Sequence, residues 1–188
     1  MIKLKSYTII GIVFLAFLPL IYQVISTPLT TDELFSENFI TPKILVTREG
    51  YRSNSSAPNN EEIMRQKSLY YEAIEAYTKE AYAAAALLFE RYLELVPNNR
   101  KEVALYLATA YLKTNQFDLA KNELQFLLEN GSTKKKQDAE WYLVLTLIKQ
   151  EQVEQAKDAL SQILNKKSMS PYQEKAKDLL EDIQQLQP

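Results

Sequence analysis

The side chains best suited to chemistry at neutral pH are missing. The 188 residues contain no histidine and no cysteine, which removes imidazole bases, thiolate nucleophiles, hydroxyl nucleophiles activated by histidine, and the usual zinc ligand sets. Carboxylates remain as acid–base groups, but Glu72 and Glu75, or Glu123 and Glu129, fall at helical spacings that ordinarily face solvent. The three glycines, Gly11, Gly50 and Gly131, lie too far apart to form a phosphate-binding loop. Nothing in the residue types implies a cofactor or a metal, and an enzyme is not expected. Lysines 79, 113 and 149 are more informative, because they stand 34 and 36 residues apart. Such a recurrence suggests a ladder of charge on a repeated element, facing either solvent or an acidic peptide.

The elements that carry those lysines share one pattern. AYTKEAYAAAALLFERYL (76–93), AYLKTNQFDLAKNELQFLL (110–128) and TLIKQEQVEQAKDALSQIL (146–164) can be aligned with Tyr77, Tyr111 and Leu147 closing one helix. Tyr82, Phe117 and Val153 then open the next, followed by Ala85, Ala120 and Ala156. Small residues there let two antiparallel helices approach closely. Phe89, Leu124 and Leu160, followed by Tyr92, Leu127 and Ile163, continue the same apolar face. In this alignment the turn residues are Glu80, Asn115 and Glu151, and the first turn is one residue shorter than the others. A last segment, 170–186, has the spacing of a capping helix that covers one apolar face and turns a polar one to water.

This pattern resembles the tetratricopeptide repeat, and Pro97 stands where that family places a proline after its second helix. The resemblance covers about residues 66–186. It implies an all-α chain, an antiparallel stack of about three helical hairpins with a C-terminal capping helix. It also implies a concave groove lined by the first helix of each hairpin, which would take a protein or peptide partner. By that register the groove residues are Tyr71, Glu75 and Lys79, then Leu105, Tyr106, Thr109 and Lys113, then Trp141, Tyr142, Leu145 and Lys149. For Tyr106, Trp141 and Tyr142 packing between hairpins is an equal alternative. If Trp141 lines the groove, its fluorescence should report an entering ligand. The Lys–Asn–Arg clamp of chaperone-binding members is absent from these positions.

Ahead of the repeats, residues 7–25 hold no charge over 19 positions, enough for a membrane-spanning helix. Lys3 and Lys5 precede the run and no further basic residue occurs before Lys43, which predicts a cytoplasmic tip (1–6) and an extracytoplasmic remainder. A cleaved signal peptide is the alternative, disfavoured by the length of the run. Residues 26–62 form a juxtamembrane segment and linker, with a short helix capped by Thr31 or Asp32 that presents Phe35 and Phe39, and an apolar run Ile44–Val46. These apolar residues either fold back on the repeat domain or the membrane surface, or serve as a recognition segment. The repeat domain is expected over 63–188.

The net charge of −2 gives no electrostatic reason to bind nucleic acid. The expected function is therefore a scaffold at the outer face of an inner or plasma membrane, arranged like small membrane-anchored tetratricopeptide proteins of Bacteroidota. A signalling component is the alternative, and self-association is open. Lys134, Lys135 and Lys136 read as a solvated loop after Gly131.

Overall fold

The computed structural model describes residues 29–43, 60–166 and 169–186. Its helices are α1 (Thr31–Asn38), α2 (Asn60–Thr78), α3 (Tyr82–Leu95), α4 (Arg100–Lys113), α5 (Phe117–Asn130), α6 (Thr133–Lys149), α7 (Val153–Leu164) and α8 (Gln173–Gln185), with a 3₁₀ turn at Pro97–Asn99. Among the described residues there is no strand. No helix among them is long and apolar enough to cross a membrane. The expected span, 7–25, and the Ile44–Val46 run lie outside the described residues.

From α2 onward each helix packs on the next, and α4 also meets α6, the first helix of the following hairpin. The small-residue rule holds. Ala85, Ala120 and Ala156 are fully buried, as are Phe89, Leu124 and Leu160 one turn later. Pro97 opens the 3₁₀ turn, where its missing N–H costs nothing. Asn99 then donates to the Tyr92 hydroxyl at 2.6 Å, tying that turn to α3. The capping helix forms as α8, with Ala176 and Leu179 fully buried.

The three hairpin turns share one geometry, and this corrects the alignment. Glu80, Asn115 and Glu151 have φ of 59°, 57° and 57°, the left-handed conformation. Each sits at the C′ position of a Schellman motif. In the first turn Glu80 N–H donates to Tyr77 C=O and Ala81 N–H to Ala76 C=O. The second turn uses Asn115 to Leu112 and Gln116 to Tyr111, and the third Glu151 to Ile148 and Gln152 to Leu147. The first turn is therefore not short, and the period is 35 and then 36 residues. Ala76, not Tyr77, is the equivalent of Tyr111 and Leu147, and the true counterpart of Lys113 and Lys149 is Thr78. Tyrosine at both 77 and 111 had obscured the shift of one.

The charged residues also depart from expectation in two places. Lys134–Lys136 lie in the first turn of α6, capped by Ser132, rather than in a loop. Lys135 Nζ reaches Glu102 of α4 at 2.7 Å and the Lys101 carbonyl at 2.6 Å, and Lys136 donates to the last turn of α5. Partners on the preceding hairpin offset the cost of positive charge at a helix N-terminus. Glu123 is buried rather than solvated. Its two oxygens accept a fork of hydrogen bonds from Arg100 at 2.8 and 3.0 Å, while the same guanidinium lies 4.3 Å over the Phe126 ring. That fork holds Arg100 above its ordinary pKa and ties α4 to α5.

Candidate peptide groove

Residues 29–43 lie against several of the residues expected to line a groove. Thr30 caps α1 through a reciprocal pair: its hydroxyl accepts from Glu33 N–H, and the Glu33 carboxylate accepts from Thr30 N–H at 2.8 Å. The cap is one residue earlier than the sequence suggested. With its ends satisfied locally, α1 turns Leu34 and Phe35 inward, and both are buried against the repeats. It packs on α6 and, more lightly, on α8. Phe39 follows as the extended C-cap, its ring 5.1 Å from that of Phe35.

Three of the expected groove residues hold this segment. Tyr142 meets the Phe39 ring edge-on at 5.7 Å, and its hydroxyl donates to the Ile40 carbonyl. Lys113 stands 4.1 Å over Phe39 and 5.9 Å from Phe35. Lys149 lies 5.4 Å from Phe35 and pairs with Asp32. Leu145, on the same face of α6 between Tyr142 and Lys149, is fully buried. Beyond Phe39 the chain turns toward the first hairpin. Thr41 Oγ1 and the Tyr82 hydroxyl are 3.4 Å apart, and Thr41, Pro42 and Lys43 line a hollow with Tyr77, Thr78 and Glu80. The segment thus crosses the C-terminal ends of the three first helices. Burial of Leu34 and Phe35, worth about 1.5–3 kcal/mol each, outweighs the exposed Asp32–Lys149 pair at about 0–1 kcal/mol.

The remaining expected groove residues are placed differently. Trp141 is fully buried and stacks on Tyr172 of the α8 approach at 5.1 Å and 8°, while Tyr172 donates to Asp138 at 2.8 Å. It is core, because position 141 faces Tyr172 at the approach to α8. Thr109 is also fully buried; its hydroxyl is 2.8 Å from that of Tyr77, with Tyr106 packed on Tyr77 and Phe89 at 5.6 and 6.3 Å. Leu105 is half-buried beside it. Tyr71, at the position equivalent to Tyr106 and Tyr142, is 50 % exposed. Glu75 and Lys79 pair with each other in solvent, which holds the Glu75 carboxyl below its usual range. The lysine ladder therefore has two rungs, not three.

Asp32 and Tyr82 are not among the expected groove residues, although each touches the segment or belongs to it. Asp32 was legible only as a helix cap, and Tyr82 only as a hairpin opener. Burial raises the hydroxyl pKa of the tyrosines at this interface and in the core: Tyr142, with Tyr172 and Asp138 adding to the shift, and Tyr77, which its Thr109 bond lowers in part. Neutral hydroxyls are the state these contacts require. Among the described residues no cluster of acidic residues could hold a metal ion. Comparison with protein-family models, with curated proteins and with solved structures finds no match to this chain.

Proposed function

We propose that the chain is a tetratricopeptide-type interaction scaffold, held at the outer face of a membrane by residues 7–25, whose concave groove receives a segment of a partner protein. The observation that carries this reading is the grip of Lys113, Tyr142 and Lys149 on a short helical segment. A face that holds an eight-residue helix through rings, a backbone acceptor and a charge pair has the chemistry of a helix-in-groove receptor. The evenly repeated hairpin turns support the family resemblance, and the charge-free run at 7–25 with its basic flank supports the anchor.

A photo-crosslinker at Tyr71, on the open part of the groove, tests the reading in native membranes washed at alkaline pH. The chain should stay with the washed membranes and give one discrete crosslinked partner, lost when Tyr142 becomes Ala. A chain released by the wash would remove the anchor. Crosslinks unchanged by the Tyr142 substitution would remove the groove.

A further inference from the structure

Residues 29–43 have the features of a ligand seated in a receptor rather than of a structural strut. Their helix is capped by its own residues, Thr30 and Glu33, and takes no cap from the repeats. Their hold on the body comes from the packing of α1 on α6 and α8 through buried Leu34 and Phe35, the Phe39 ring between Tyr142 and Lys113, a backbone acceptor at Ile40, Thr41 beside the Tyr82 hydroxyl, and an ion pair whose Asp32 side chain is 74 % exposed. An eight-residue helix is too short to persist alone in water, so its order depends on the groove. In the sequence, 16 residues separate Lys43 from the start of α2, so the segment is tethered to the repeats without being continuous with their helices. Tyr71, the first-hairpin counterpart of Tyr142, is left exposed.

We propose that residues 29–43 are an intramolecular stand-in for the partner, occupying the groove in cis and blocking it until displaced. The partner is then identified by chemistry. It presents an acidic residue in the first turn of a short N-capped helix, Leu-Phe two and three residues later, and a second Phe four residues beyond that, matching Asp32, Leu34, Phe35 and Phe39. This inference rests on the groove reading above and adds its ligand and its regulation. Tethering sets a high effective concentration for the cis segment, so a partner in trans competes by making contacts that the segment lacks. A ligand that continues over Tyr71 does so. The two lysine rungs select for the pattern, since each faces a phenylalanine ring and Lys149 also faces the acid.

The test uses the full chain in lipid nanodiscs and a fluorescent synthetic peptide of residues 29–43 as probe. Phe35→Ala/Phe39→Ala should empty the groove and bind the probe at least tenfold more tightly than the wild-type chain. Adding Tyr142→Ala to that variant should abolish the gain. Asp32→Lys, which leaves the apolar contacts in place, should give an intermediate gain and guards against a folding defect in the double variant. Equal, measurable affinity for wild type and both variants would overturn the cis block while leaving the groove standing. No binding to any of them, with thermal unfolding intact, would overturn the proposal and the groove reading together.

Discussion

At the scale of single residues, what a buried aromatic side chain packs against decides whether it touches the segment at 29–43. Trp141 and Tyr142 are neighbours in sequence, yet one stacks on Tyr172 in the core and the other holds Phe39 and Ile40. The intrinsic emission of the sole tryptophan should therefore be blue-shifted in the folded chain and should not move in Phe35→Ala/Phe39→Ala. A shift on emptying the groove would place the indole at the wrong site. Gln66 makes a second residue-scale point. It is fully buried in α2, and neither amide atom has a hydrogen-bond partner among the described residues. Such an orphaned amide costs roughly 1–3 kcal/mol. Gln66→Met should accordingly raise the stability to urea by about 1 kcal/mol, and a loss of stability would reveal a partner for the amide.

Among the elements, the hairpin turns are the most regular feature and the most strained. Glutamate at Glu80 and Glu151 occupies a left-handed position that disfavours side chains by about 1–2 kcal/mol, and it places negative charge at the negative end of a helix. Glycine removes both effects but adds about 0.5–1 kcal/mol of unfolded-state entropy. Glu80→Gly and Glu151→Gly should each stabilise the chain by roughly 0.5–1 kcal/mol in denaturant titrations. Asn115→Gly should gain less, because asparagine already tolerates this conformation. Destabilisation by either glutamate substitution would show that the side chain has a role the turn geometry does not require. The turns also mark where sequence reasoning ran out. Apolar spacing fixed the helices and the buried alanines, since both follow from a repeat of 3.6 residues. It did not fix the register between first helices, because a tyrosine at 77 resembles the one at 111 although it occupies the position of Leu112. That slip of one residue put Lys79 on the ladder and hid Thr78. The place of Glu123 was likewise not legible: its helical spacing suits a solvated face, and only the approach of Arg100 from α4 buries it.

Across the whole molecule, buried tyrosines link the hairpins and the segment into one pH-sensitive body. Burial raises the hydroxyl pKa of Tyr70 to about 12, and pushes Tyr77, Tyr111, Tyr142 and Tyr172 up as well. An unfolded tyrosine titrates near pH 10, so the folded chain retains protons that the unfolded chain loses. The stability these groups contribute is fully present below about pH 10 and is lost as pH rises toward the folded values. Thermal unfolding temperature should hold steady to about pH 10 and fall steeply above it, with phenolate absorbance appearing together with unfolding. Phenolate formation well ahead of unfolding would mean that the hydroxyls are more open than their burial indicates. The fold-back of Phe35 and Phe39 was one of two readings open from sequence, because apolar content shows that a segment needs cover without showing what supplies it. Contacts across α4 and α6 supply the answer. Everything proposed for the groove depends on that docking, and a photo-reactive phenylalanine analogue at position 39 of the full chain probes it directly. Within a single chain it should crosslink to tryptic fragments containing Lys113 or Tyr142. Crosslinks confined to lipid, or to fragments outside α4 and α6, would contradict the docked segment and the receptor groove it identifies.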